Sequence, residues 1–348
     1  MVDDNLAAVL NGLSVAIFVV DCDQIIRFRN SAAVSLFGSW TQGTKLPSLV
    51  PNKRCIRAIE NVLDGDKRAS VSVKLQLVVP TAFRMTAQRL NPEAPFEDAQ
   101  VVVSFEDVSH ILEAEQMRSD FVANVSHELR SPLTTLVGFI ETLQGHARND
   151  REATTRFLAL MAQEAERMAR LIDDLLSLSK LQTVERYAPT LPVSPMPVVA
   201  RVVAALEPIL EQERVRVDLH EAAPLPDILG NADELTQVFR NIIENAAKYS
   251  RADSVVTVTG ALDEADPQMV RITVTDQGDG IAPEHITRLT ERFYRIDKGR
   301  SRDKGGTGLG LAIVKHILMR HRGRLQIDSA EGEGSRFSVL LPIMAEPA

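Results

Sequence analysis

The sequence predicts a multidomain α+β protein, with an α/β region over about residues 1–110, a pair of long helices over 111–186 and a two-layer α/β region over 187–348. Three observations carry that expectation. Residues 15–109 alternate apolar and polar side chains in short runs broken by turns. From about residue 111 the apolar spacing lengthens to three and four, and it stays so to about residue 184. A proline-rich stretch, APTLPVSPMP (188–197), then marks a boundary before strands and helices mix.

In the first region, VAIFVVD and IIRFRN flank the short turn Cys22–Gln24, which predicts a hairpin. SAAVSLFG reads as a short helix ended by Gly38. Three β-rich runs follow: SVSVKLQLVV, FRMTAQRL and AQVVVSFEDVS. In the second, Phe83, Met85 and Ala87 alternate with polar residues, as in a half-buried strand. NPEAPFED, between the last two, is turn chemistry.

In the helical region, Phe121, Val125, Leu129, Leu133, Leu136, Ile140 and Leu143 form one apolar stripe. Gly145 is placed to stop that helix, and Asn149 with Glu152 reads as the capping box of the next. The second helix has its own stripe of Phe157, Met161, Met168, Leu171, Leu175 and Leu178. Two long helices joined by a short loop make an antiparallel hairpin with little core of its own. Two copies pairing into a four-helix bundle, and hence a homodimer, are expected. Beyond the prolines the expectation is a helix from Val198 to Glu213, the strand RVRVDL and a capped helix from about Asn231 to Tyr249. Strands SVVTVTGAL and MVRITVTD follow, then a helix entered through GGTGLGL and a final β-hairpin turning at EGEG.

Composition removes several function classes. A length of 348 residues, 45% hydrophobic and 25% charged, is that of an ordinary soluble chain of more than one domain. A net charge of −8, from 39 basic and 47 acidic residues, argues against a general nucleic-acid binder. Cys22 and Cys55 are the only cysteines, which leaves no disulfide framework and no CxxC pair, and suits a reducing cytoplasm. The longest apolar run near the N-terminus, Val15–Val20, is far short of the roughly 18–20 residues that span a bilayer. Neither a signal peptide nor a membrane segment is expected. No histidine precedes His110, which excludes a histidine-ligated haem in the first region, and no flavin-reactive cysteine motif is present.

The stretch VANVSHELRSPLTTL (122–136) departs from a plain helix. His127 lies two positions after Val125, so it points away from the apolar stripe, and Ser131 and Thr134 share its face. An exposed helical histidine is ordinarily just solvated. Here Glu128 is adjacent and can accept or orient a ring proton. Pro132 lacks an N–H, so the Glu128 carbonyl loses its partner one turn on, at a cost of about 3 kcal/mol. A bend beside His127 and Glu128 serves a site that must open toward another domain, although a purely structural kink is the competing account.

FVANVSHELRSPLTTLVGFIETL (121–143) resembles the H-box of sensor histidine kinases, especially those of the phosphate-regulon type. The resemblance implies that His127 is the phospho-acceptor attacking the γ-phosphate of ATP, with Glu128 as general base or orienting carboxylate. Relatives with phosphatase activity carry Thr or Asn four residues after the histidine; Ser131 departs from that pattern. The first region, with two hairpins, a helix and a closing strand ending in EDVS, resembles a PAS sensor domain.

A phosphate donor must be held elsewhere. On DELTQVFRNIIENAAKYS (233–250), Asn241, Glu244, Asn245 and Lys248 share one face, while Leu235, Phe239, Ile242 and Ala246 share another. Most such polar stripes are solvated, but two amides beside a lysine suit metal-bound phosphate oxygens. Asp276 ends an alternating strand where a carboxylate can accept from an adenine amino group, and Gly278 and Gly280 would let backbone approach the base. A simple turn explains the D-x-G-x-G pattern equally well. Gly306, Gly308 and Gly310 run into a helix N-terminus, where backbone N–H groups can hold phosphate. That spacing fits neither a P-loop nor a Rossmann turn.

These stretches resemble the N-box, the D-x-G-x-G box, the F-box (ERFYR, 291–295) and the final glycine box of the same kinases, in the same order. The resemblance implies Mg²⁺ on Asn245, support from Asn241, Lys248 near the phosphates, and nucleotide contacts from Tyr249, Phe293, Arg295, Thr307 and Leu309. It covers about residues 115–345 and implies a GHKL-type two-layer sandwich. The expectation is a cytoplasmic, dimeric, ATP-dependent protein-histidine kinase of a two-component system, with phosphate starvation as the candidate input. No receiver-type aspartate cluster is evident, so transfer to a separate response regulator is expected. The alternatives are a sensory adaptor or phosphatase with little kinase activity, and an ATP-driven conformational machine of the Hsp90 or MutL type. Those machines hydrolyse ATP with a glutamate where Asn241 stands and lack the His127 hairpin.

Overall fold

The computed structural model describes residues 4–38, 43–77, 80–91, 100–146, 150–184, 188–221, 223–296 and 306–344. The chain divides into two compact units, Met1–Ala123 and Asn124–Ala348.

The first unit holds α1 (Asp4–Asn11), β1 (Ala16–Val20), β2 (Ile26–Arg29), α2 (Ser31–Phe37), α3 (Leu46–Leu49), α4 (Lys53–Leu63), β3 (Arg68–Gln76), β4 (Pro80–Arg89) and β5 (Val101–Asp107). Its antiparallel sheet runs β2-β1-β5-β4-β3. The expected hairpin is β1–β2, and Gly38 caps α2. Phe83, Met85 and Ala87 of β4 are buried as their alternation predicts. Phe18, Phe37, Phe83 and Phe105 meet edge-on or tilted, with centroids 5.1–6.4 Å apart, and dominate the core. Fully buried Asn30 ties the N-terminal segment down. Its amide donates to the Leu10 and Val15 carbonyls and accepts from the Ile17 and Ala33 N–H groups.

Three helices of this unit, α1, α3 and α4, have no counterpart among the expected elements, and α4 is the longest of them. KRCIRAIENVL is helix α4, capped by the Asn52 side chain through the Arg54 and Cys55 N–H groups. Cys55, Ile59 and Val62 face the core at spacings of four and three, and burial pushes the Cys55 thiol up to about 11.

The helical hairpin comprises α5 (Ser109–Gln144), which begins in the first unit and continues into the second, and α6 (Arg151–Val184). Gly145 follows the last turn of α5. Asn149 lies outside the described residues; the cap of α6 is Asp150, whose carboxylate accepts from the Ala153 N–H. Helix α5 runs through buried Pro132. In the turn around it the Thr134 and Thr135 hydroxyls donate to the Arg130 and Ser131 carbonyls at 2.9 and 3.2 Å. Leu171 and Leu178 of α6 are buried, while Leu133 and Ile140 of α5 and Leu158 and Leu176 of α6 remain exposed. No described helix is long and apolar enough to cross a membrane.

The remainder of the second unit is β6 (Leu191–Val193), α7 (Pro195–Ala205), α8 (Glu207–Glu213), β7 (Arg216–Glu221), β8 (Ile228–Gly230), α9 (Ala232–Tyr249), β9 (Val255–Leu262), β10 (Met269–Thr275), α10 (Pro283–Ile286), α11 (Gly310–Arg320), β11 (Arg324–Ala330) and β12 (Gly334–Pro342). The sheet order is β11-β12-β10-β9-β7, with β7 parallel to β9 and the other pairs antiparallel. Helices α7 and α11 pack on α9, which also meets β9 and β10 and buries Leu235, Phe239, Ile242 and Ala246, making the expected two layers.

Two expectations need correction. The single helix predicted over Val198–Glu213 begins three residues earlier and is broken at Leu206, because Pro208 has no N–H to continue the ladder. The strand RVRVDL starts two residues late. Arg214 takes a left-handed conformation (φ 57°) to end α8, and its guanidinium holds Asp253 in three bonds of 2.6, 2.8 and 3.1 Å. The proline-rich boundary also contains strand β6, which pairs with β8.

Candidate functional site

His127 is exposed on α5, as its place off the apolar stripe requires, and Glu128 beside it is half-buried. The Glu128 carboxylate lies 3.5 Å from Arg167 on α6, and Arg167 also reaches Glu164 at 3.2 Å. Glu128, Pro132, Arg167, Met168, Leu171 and Thr307 line one small cavity. The carboxylate expected to serve the histidine is therefore paired across the hairpin, at the edge of the glycine-rich loop. Ser131 follows one turn after His127 and is half-buried.

On α9 the Asn231 side chain caps the helix through the Asp233 and Glu234 N–H groups. Asn241 donates to the Gly310 carbonyl at 3.2 Å, tying α9 to the first residue of α11. Asn245, one turn on, is half-buried. Lys248 pairs with Glu244 at 2.6 Å, which keeps its ammonium on the same helical face. Tyr249 is exposed at the end of the helix.

Asp276 follows β10 and is 4% exposed. Its Oδ1 accepts from the Gly278 and Ser335 N–H groups at 2.9 and 3.1 Å. Burial pushes its carboxyl above the usual range, and those two hydrogen bonds pull it back. The glycines after it act differently from the expectation. A Cβ on Gly278 would lie 2.4 Å from the Tyr249 carbonyl, and one on Gly280 (φ +71°) 1.9 Å from the Ala330 carbonyl. What fills the Cβ positions is the chain's own backbone, because the turn must pass between α9 and the β11–β12 turn.

The loop before α11 brings together two of the motifs. Gly308 (φ +72°) lies under Phe293, whose N–H donates to the Gly308 carbonyl at 2.8 Å. Tyr294, next in ERFYR, bonds His285 at 2.7 Å under the Arg288 guanidinium, and Arg295 is half-buried. Gly306, Thr307 and Gly308 are half-buried, whereas Leu309 is fully buried, so its side chain belongs to the core and only its backbone faces the loop. A groove of about 810 Å³ beside α8 and β7, lined among others by Leu210, Arg214 and Asp253, contains none of these residues.

Three participants escape the sequence reading. Arg167 and Asp174 lie on the polar side of α6, where nothing local distinguishes them from solvated charges. The third is His321, buried at the end of α11, with Nδ1 at 2.8 Å from the Ile317 carbonyl and Nε2 accepting the Asn231 N–H at 3.1 Å. It joins the caps of two site helices in its neutral form, and burial lowers its pKa below 6.5. A depressed histidine contributes stability that is complete above the unfolded value of 6.5 and is lost as pH falls through the folded one. Unfolding free energy should fall below pH 6.5 by at most about 1.4 kcal/mol per pH unit from this group. In His321→Gln, whose carbonyl can still accept from Asn231, that component should vanish. Denaturation at several pH values checks this, and an equal acid loss in the variant would remove His321 as its cause.

A buried carboxylate at a strand end, an amide pair on one helix face and an eleven-residue helix whose N-terminus has no side-chain cap fit an adenine nucleotide. Among the described residues no group of three His, Cys, Asp or Glu side chains could cage a metal. A divalent cation here would depend on amide and phosphate oxygens.

Residues 230–345 match the HATPase_c family, described as "Histidine kinase-, DNA gyrase B-, and HSP90-like ATPase". Residues 117–184 match HisKA, the "His Kinase A (phospho-acceptor) domain". The phosphate regulon sensor protein PhoR of Pseudomonas aeruginosa is 35% identical over 326 residues, covering 93% of this chain and 71% of PhoR. The sensor histidine kinase WalK of Bacillus subtilis is 36% identical over 268 residues, 76% of this chain and 43% of WalK. The chain thus spans less than half of that relative. Among solved structures, histidine kinase ThkA in complex with response regulator protein TrrA has the same fold, with a TM-score of 0.53, 19% identity and coverage of 97% of this chain and 98% of that one.

Proposed function

The chain belongs to the two-component sensor histidine kinases, ATP-dependent enzymes that phosphorylate a histidine, and on that footing we propose that His127 is the acceptor. The observation that carries this assignment is an exposed imidazole on α5 beside the half-buried carboxylate of Glu128, with Pro132 one turn on. ATP supplies the γ-phosphoryl group. The imidazole forms the P–N bond as the bond to the ADP oxygen breaks, and Glu128, once free of Arg167, takes or orients the other ring proton. Asp276 would receive the adenine amino group, and the backbone before α11, with Thr307, would hold phosphate oxygens. Asn245 would hold Mg²⁺, and Asn241 keeps that helix on the loop through Gly310. Incubation with γ-labelled ATP and Mg²⁺ tests the reading. The label should be acid-labile and alkali-stable, as a phosphoramidate is, and an acid-stable label would point to Ser or Thr instead.

The boundaries near residues 110 and 186 are part of the same proposal. The sheet order β2-β1-β5-β4-β3 with helices between β2 and β3 supports a PAS-like sensor over the first region. Leu133, Ile140, Leu158 and Leu176, exposed on α5 and α6, support pairing with a second copy into a four-helix bundle. A separate response regulator is the proposed phosphoryl recipient. The match to PhoR extends over 93% of the chain, so it reaches into the first region and favours a phosphate-linked input.

Ser131 is proposed to serve dephosphorylation of that partner. It lies one turn from His127, where a hydroxyl can orient water, whereas phosphorylation of the imidazole does not require it. Ser131→Ala should leave kinase activity within about threefold yet lower phosphatase activity by about tenfold or more, and Ser131→Thr should keep both. Parallel losses in the two rates would mean that Ser131 only shapes the turn before Pro132.

A further inference from the structure

Helix α6 makes a polar contact to the glycine-rich loop that no motif announces. The Thr307 hydroxyl donates to Asp174 Oδ2 at 2.7 Å, and its oxygen accepts the Leu309 N–H at 3.3 Å. Behind this contact α6 packs along α11, and both partners are half-buried. Asp174 is held among like charges. Asp173 precedes it on α6 and Glu244 faces it from α9, with Arg240 of α9 as the opposing charge.

We propose that Asp174 is a positioning residue for nucleotide loading: its carboxylate holds the Thr307 hydroxyl and keeps the glycine-rich loop on α6 until a phosphate oxygen takes that hydrogen. The inference rests on the reading that the loop before α11 holds phosphate. A hydroxyl has one hydrogen to give, so Asp174 and a phosphate oxygen are exclusive acceptors. They also repel, since both are anions and Asp173 and Glu244 add to the local negative charge. The switch does not disturb the loop itself, because the oxygen of Thr307 can keep the Leu309 N–H while its hydrogen rotates. Desolvation raises the Asp174 carboxyl above its usual range, and the hydrogen bond from Thr307 acts against that rise. Loading of nucleotide and release of α6 from the loop are thereby one event.

The test is calorimetric binding of a non-hydrolysable ATP analogue with Mg²⁺ to the full chain. Asp174→Ala should tighten binding about three- to tenfold, and Asp174→Asn, which keeps an acceptor but loses the charge, should tighten it less. Thr307→Ala should weaken binding, and adding Asp174→Ala to it should then tighten binding clearly less than it does in the unaltered protein, since only the charge repulsion is left to remove. Unchanged or weaker binding in both Asp174 variants, with Thr307→Ala still weakening it, overturns the proposal and leaves the phosphate reading standing. Unchanged binding in Thr307→Ala overturns the phosphate reading and takes the proposal with it.

Discussion

Phosphorylation of the chain by its own bound ATP should fall at least ~10³-fold in His127→Gln, while affinity for ATP stays within about twofold. The amide of glutamine has the size of the imidazole and its hydrogen-bonding ends but no nucleophilic lone pair. His127 is exposed on α5, so the substitution should leave the helix and its packing intact. The residues proposed to hold nucleotide all lie between 241 and 310, outside the hairpin, which is why binding should survive. Retained labelling in the variant would move the acceptor to another residue. Lost labelling together with lost ATP binding would mean that the hairpin takes part in holding nucleotide.

ATP affinity should drop by about 1–3 kcal/mol in Asp276→Asn, with little change in melting temperature. The buried Oδ1 that receives the Gly278 and Ser335 N–H groups survives as an amide carbonyl. The other end becomes an NH₂, which meets the adenine amino group donor to donor. Guanine carries a carbonyl at that position, so the same substitution should narrow the preference for ATP over GTP. Asp276→Ala is the less informative change, because it also orphans two backbone donors and costs stability. Asn245→Ala should differ from both by lowering phosphoryl transfer more than affinity, since it removes a proposed Mg²⁺ ligand. Equal competition by GTP in the unaltered protein would overturn the adenine role of Asp276.

The elements legible in the sequence are those whose signals are local. The stripe on α9, the alternation of β4 and β10, and the cap at Asn231 are periodic patterns or single-turn chemistry, and each is found where the spacing puts it. Helix α4 was equally legible through Asn52 and the spacing of Cys55, Ile59 and Val62; Pro51–Asn52 reads as loop only if the cap is overlooked. The break at Leu206 is likewise written in Pro208.

The chemistry-bearing residues were chosen by type and motif, and a motif says which residues matter without saying what each touches. Gly278 and Gly280 stand where the Tyr249 and Ala330 carbonyls, one 29 and the other 50 residues away, leave no room for a Cβ. Leu309 was drawn into the site by its neighbours in GGTGLGL, and burial assigns its side chain to the core.

By itself the sequence determined most of the element types, the two-layer C-terminal region, the exposed histidine on α5 and the set of motifs that name the family. Only the tertiary structure decided the pairings. Arg167 on Glu128 and Asp174 on Thr307, 133 residues apart, join charged or polar side chains, and His321 accepts the Asn231 backbone N–H 90 residues away; none of these groups stands out in any one stretch. Hydrophobic period and capping are properties of adjacent residues and survive in a linear reading. A hydrogen bond between distant helices depends on where packing brings their faces together, and that information exists only once the chain has folded.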